Sequence, residues 1–223
     1  MKKNVFLVIA LMTIISCGMM GKQAEAAASG SYSELLSSTL RKCEASEDPN
    51  RYMETVAELK RLEALFPGES WLTDYYLALY EVQMSVGKKD NQSVLKEAKD
   101  RIAKLKADKR ADLSEVYTLE GYYYYALIST NPEENGKTYY KSVVDAYNRA
   151  LAVKPDNPRA NMLLTVFKLN MSKALGTKVK AEELPATLQK IETALKSEDK
   201  SSVNPHWGDN TLENLKNALK KYL

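Results

Sequence analysis

Four turns at a nearly constant spacing constrain this chain more than any other feature. Counting back twelve, eight and five positions from Pro155 gives Val143, Tyr147 and Ala150, one face of an amphipathic helix that stops at the proline. The same offsets give Thr55, Leu59 and Leu62 before Pro67. They give Ala98, Ile102 and Leu105 before Arg110, and Thr187, Ile191 and Ala194 before Asp199. The four turns are separated by 43, 45 and 44 residues. A helix pair of this length cannot bury its apolar face alone, so the period implies a stack in which each unit packs on its neighbours.

The punctuation between the turns is that of an all-α chain. Gly68, Gly87, Gly136, Gly176 and Gly208 read as breaks between periodic segments, and only Gly121 falls inside one. Pro49 and Pro158 follow the capping candidates Asp48 and Asn157. Pro185 follows Glu182 and Glu183, again as expected of a first helical turn. The pattern predicts helices over 32–46, 49–65, 70–86, 91–107, 112–129, 137–153, 157–175, 182–197 and 209–222. Short connections make successive helices antiparallel, giving about four helical hairpins and a closing helix. No stretch alternates as a strand.

Residues 1–30 stand apart from this domain of residues 31–223. Lys2 and Lys3 precede an apolar run from Val5 to Ile15, too short to span a bilayer and composed like an export signal. Two kinds of processing fit. Ile14-Ile15-Ser16-Cys17 resembles the lipobox of bacterial lipoproteins, which would make Cys17 a lipid anchor and residues 18–31 a flexible tether. Alternatively, cleavage follows Ala24-Glu25-Ala26 or Ala26-Ala27-Ala28. In either case Cys43 is left without an intramolecular partner, and its place in the first helix suggests a buried, inert thiol.

Tyr117, Leu119, Gly121 and Tyr124, followed by Val143, Tyr147, Ala150 and Pro155, resemble a tetratricopeptide repeat. That family pairs an aromatic, a small residue and an aromatic with a second helix of small, aromatic, small and proline. The match is good over 112–160, partial around Ala78 and Ala98, and confined to second helices elsewhere. The resemblance implies a right-handed superhelix whose first helices line a groove for a peptide or protein. Tyr75, Leu79, Val82, Thr118, Tyr122 and Tyr125 would then face the groove. Of the α-helical tyrosines here, Tyr117 and Tyr124 are expected in the core, and Tyr122 and Tyr125 outside it.

Several functions are disfavoured by what the chain lacks. From Ala27 onward 29 Lys and Arg face 28 Asp and Glu, interleaved, without the one-sided charge that a phosphate-binding stripe needs, so no nucleic-acid partner is expected. The single histidine, His206, makes a zinc site or a histidine-dependent nucleophile improbable. It is expected to be exposed, beside a Trp207 packed on the last hairpin. No phosphate-cradling glycine loop is present, and Glu133-Glu134 and Glu182-Glu183 read as solvated or dipole-facing pairs. No catalytic residue, metal or cofactor is implied. The sequence therefore points to a non-catalytic scaffold that holds a protein or peptide in the bacterial cell envelope. The alternative is a carrier of a small or lipidic ligand in an aromatic-lined pocket, marked by an enclosed apolar cavity.

Overall fold

A computed structural model describes residues 31–175 and 181–219, and all of its regular structure is helical. The expected export signal, Cys17 and Gly176 lie outside the described residues. The helices are α1 (Tyr32–Ala45), α2 (Arg51–Leu65), α3 (Ser70–Ser85), α4 (Gln92–Ala107), α5 (Leu113–Thr130), α6 (Pro132–Val153), α7 (Pro158–Leu175), α8 (Leu184–Lys196) and α9 (Asp209–Leu219). Among the described residues no helix is long and apolar enough to cross a membrane.

Side-chain caps set several of these starts. Ser31 Oγ accepts from the Glu34 amide while Glu34 Oε2 accepts from the Ser31 amide, a reciprocal box that opens α1. Asp112 Oδ1 accepts from the amides of Ser114 and Glu115 at the head of α5. Asn157 Oδ1 accepts from the Ala160 amide at the head of α7, with Pro158 in the first position, where its missing N–H costs nothing. One predicted boundary is wrong by five residues. Gly136 lies buried inside α6, and Pro132 opens that helix after Asn131. Proline is as compatible with a helix start as with a loop, and a glycine inside a helix gives no local sign that packing demands it.

Consecutive helices pack on each other, and α3, α5 and α7 also pack side by side. A core of Leu36, Leu40, Leu59, Tyr75, Leu77, Leu79, Val82, Ile102, Leu105, Val116 and Leu119 runs through the first five helices. A second cluster joins Met162 to Leu184, Leu188, Ile191 and Leu195, and to Leu212, Leu215 and Leu219, so α9 closes the stack with its leucine face. Cys43 is buried and free.

The α5–α6 contact is the tightest. A Cβ on Gly121 would lie 2.6 Å from Tyr147 Cε1, and the Tyr147 ring is itself fully enclosed. Gly121→Ala gains about 1 kcal/mol of helix propensity and forces apart a packed ring, an overpacking strain of about 1–3 kcal/mol. We expect a lower thermal midpoint than wild type. An unchanged or higher midpoint would mean that Tyr147 turns aside freely.

A group of charges is buried where α3 meets α4. Arg101 Nη1 donates to Asp74 (2.8 Å) and Glu63 (3.0 Å), and Lys104 pairs with Asp74 at 2.7 Å. Glu81 lies beside them with a side chain only 2% exposed. Its Oε1 is 3.5 Å from Arg101 Nε, and neither carboxylate oxygen has a hydrogen-bond partner among the described residues.

Candidate functional site

The turns that set the sequence period come together at one end of the stack. Trp71, Arg110, Ala111, Asp112, Lys154, Glu198 and Asp199 line a cleft of about 480 Å³, closed on one side by Ser202, Asn204, Pro205 and His206. Its floor is Arg159, 1% exposed. Arg159 Nε and Nη2 donate to Glu115 at 2.8 and 2.9 Å. Nη1 and Nη2 donate to Glu198 at 3.0 and 2.6 Å, and Nη1 also donates to the Trp207 carbonyl at 3.1 Å. Burial opposes the guanidinium charge, but Glu115 and Glu198 outweigh it and raise the Arg159 pKa. All three guanidinium nitrogens are thus engaged, so Arg159 organises the cleft and leaves little donor capacity for a ligand. The walls carry both signs of charge, and the cleft lacks the enclosed apolar character expected of a carrier cavity.

A chain of hydrogen bonds leads from this floor into the core. Asn157 Nδ2 donates to Glu115 Oε1 (2.8 Å) and to Ser114 Oγ (2.9 Å), and Ser114 Oγ donates to the Ala150 carbonyl. Tyr75 Oη donates to Glu115 Oε2 (3.0 Å) and accepts from Trp207 Nε1 (2.9 Å). Burial, followed by the Glu115 charge, pushes the Tyr75 pKa far up, so this phenol keeps the proton it donates.

Residues 198–208 form a strap that runs from the end of α8 back across the first helices of the stack. Tyr76 Oη of α3 lies 3.1 Å from the carbonyls of both Val203 and Asn204. His206 Nε2 faces Glu44 Oε1 of α1 at 3.4 Å, and His206 Nδ1 is 2.8 Å from the Asn204 carbonyl. The Trp207 ring stacks on Tyr122 of α5 with centroids 6.4 Å apart. Gly208 (φ +130°) turns the chain into α9 under Met162 and Leu195, where a side chain would be strained.

Beside the strap lies a face of aromatic rings. Tyr52 stacks on Tyr80 (5.5 Å) and Tyr80 on Tyr76 (6.3 Å). Tyr125 meets Phe167 edge-on (6.0 Å), and Tyr140 reaches the same Phe167 (5.3 Å). Tyr52, Tyr122, Tyr125 and Trp207 are mostly but not fully buried. The Tyr122 pKa is raised by burial first, then by the neighbouring Tyr52 and Tyr125 phenols. Arg51 lies over the Tyr52 ring at 4.4 Å, and Asn170 donates to Tyr125 Oη.

The residues expected to line a groove divide into two sets. Tyr75, Leu79, Val82 and Thr118 are at most 1% exposed, because α3 and α5 are inner helices covered on several sides, so none of the four offers a side chain to a partner. Thr118 uses its hydroxyl on the Ser114 carbonyl of its own helix. Tyr122 and Tyr125 keep only part of their surface accessible. Tyr117 and Tyr124, expected in the core, are likewise only partly buried, and Tyr123 is the most buried of the run. His206 is not free in solvent but lies against Glu44. Trp207 packs on α3 and α5 as well as near the last hairpin. Arg159, Glu115 and Glu198 were not singled out from the sequence, where they look like surface charges. Among the described residues no group of three or more His, Cys, Asp or Glu side chains could hold a metal ion.

No family model matches this chain, and no curated protein matches it. Among solved structures it is similar to the HusA haemophore from Porphyromonas gingivalis, at 23% identity and a TM-score of 0.74, over 86% of this chain and 94% of that one. At this identity the likeness is one of fold.

Proposed function

We propose that this protein is a non-catalytic, exported carrier whose ligand is a flat, largely apolar molecule of the tetrapyrrole class, held against Tyr52, Tyr122, Tyr125 and Trp207. The observation that carries the reading is the group of partly accessible rings, found on a fold similar to that of a haemophore. Phenol and indole rings give a flat ligand a large contact area at low entropy cost, and their polar ends can meet its polar rim. The face is open, so the ligand would stack on it and not be enclosed. The export-signal composition of residues 1–30 supports delivery beyond the cytoplasm, by Cys17 lipidation or by cleavage. The helix-pair period supports a tetratricopeptide-like stack as the frame.

Titrating haemin into the purified domain tests this directly. Saturable binding with a shifted Soret band is expected, weakened about tenfold in Tyr122→Ala/Tyr125→Ala, each ring contributing about 0.5–1.5 kcal/mol beyond its area. Unchanged helical circular dichroism would confirm that the variant is folded. Absence of saturable binding to wild type would remove the carrier reading.

A second reading, a protein or peptide partner in the cell envelope, draws support from one feature. Tyr76 already reaches two successive backbone carbonyls of an irregular segment, Val203 and Asn204, as a peptide-binding surface would. Cross-linked envelope fractions that yield a specific protein with wild type, and lose it with Tyr122→Ala/Tyr125→Ala, would favour this reading.

A further inference from the structure

We propose that residues 198–208 are a proton-operated strap: protonated His206 clasps Glu44 and holds the middle of the strap on α1, and loss of that proton loosens it there. The inference extends the carrier reading by giving the same face a means of regulation. It rests on where the segment is held and where it is not.

Both ends of the strap are anchored by the buried Arg159, through Glu198 beside α8 and through the Trp207 carbonyl beside α9, and the Trp207 indole also donates to Tyr75. Its middle is held to α3 by Tyr76, and its only ionic tie to α1 among the described residues is His206 to Glu44. The His206 ring is largely covered, its side chain 14% exposed, and its Nδ1 is occupied by the Asn204 carbonyl of the same segment. Both ring nitrogens therefore face oxygen acceptors, an arrangement that only the doubly protonated imidazolium satisfies fully.

The charges around His206 support this. From α1 come Glu44 and Arg41, and from α3 the Tyr76 phenol. From the strap come Glu198, Asp199 and Lys200. Lys200 is directed to Asp209 at the head of α9 (2.8 Å) and to the His206 carbonyl (2.9 Å), so its charge is partly engaged elsewhere. The balance raises the His206 pKa, chiefly through the Glu44 hydrogen bond, against the opposing effects of burial and Lys200. The clasp is consequently present at acidic pH and is lost as pH rises through the folded-state pKa. Because Trp207 follows directly and stacks on Tyr122, the state of His206 bears on the ring face itself.

The test is hydrogen–deuterium exchange of ligand-free protein, comparing protection of the 198–208 amides, corrected for intrinsic rates, between pH 6 and pH 8.5. Wild type should lose about two- to fivefold of its strap protection over this range, the scale of a partly exposed ion pair, while amides of α5 hold steady. His206→Gln and Glu44→Gln should each show the weaker protection at both pH values. A pH response that persists in both variants, or a strap equally protected at pH 6 and 8.5 in wild type, overturns the proposal. Haemin dissociation rates measured in parallel separate the two ideas. A pH-dependent strap without haemin binding leaves the clasp standing and removes the carrier reading. Haemin binding over a pH-insensitive strap does the reverse.

Discussion

Arg159→Met should lower the unfolding free energy by about 3–5 kcal/mol, because it strands the buried Glu115 carboxylate and leaves Glu198 only Lys200, 3.9 Å away. Glu115 would keep only Tyr75 and Asn157 as donors, and Glu198 would lose its two close bonds. The Trp207 carbonyl is released as well, so the damage spreads from the floor of the cleft to the strap. Urea unfolding at pH 7 measures the loss. Adding Glu115→Gln and Glu198→Gln to Arg159→Met removes the stranded charges and should recover a substantial part of it. A triple variant no more stable than the single one would show that the hydrogen-bond geometry, and not the uncompensated charge, sets the cost.

The second large effect is a gain. Burial raises the Glu81 pKa to about 7, against the opposing pull of Arg101, from an ordinary value of 4.5. A carboxyl whose folded-state pKa is raised contributes fully below its unfolded value, and that contribution is lost as pH climbs through 7. The difference corresponds to about 3 kcal/mol by pH 8.5, an upper figure for a site this enclosed. Glu81→Gln keeps the shape and removes the ionisation. It should melt within a few degrees of wild type at pH 4.5 and clearly above it at pH 8.5. If glutamine is equally destabilising at both pH values, the ionised Glu81 is compensated by Arg101 after all.

Much of the helix architecture was legible because helix ends are written locally. Asp112 and Asn157 accept from amides within three residues, Pro158 fits a first turn, and Leu59, Ile102, Tyr147 and Ile191 recur at the 43-to-45-residue spacing of the turns. The failure at Pro132 and Gly136 marks the limit of that logic, since a buried glycine is chosen by a neighbouring helix and not by its own segment. The candidate site was legible only in part. Tyr122 and Tyr125 stood out as rings that could not all enter one core. Tyr75 and Leu79 were assigned to a surface by analogy, and the layers over α3 close it. Nothing local announced Arg159, because a charged residue in a helix start looks the same whether it meets water or two carboxylates 39 and 44 residues away. Nor did the sequence around His206 reveal Glu44, since pairing between chain-distant side chains leaves no periodic trace.

The strap also changes how such a stack must assemble. In an array whose units touch only their neighbours, folding can advance behind the growing chain, one pair at a time. Here Tyr76 finds its carbonyl acceptors 127 and 128 residues later, and Tyr75 waits 132 residues for Trp207. The inner helix of the second pair is thus finished only by a segment about five helices further along the chain. Until residue 207 arrives, the buried phenols of α3 lack these partners, so the long-range contacts must form before the early helices are complete.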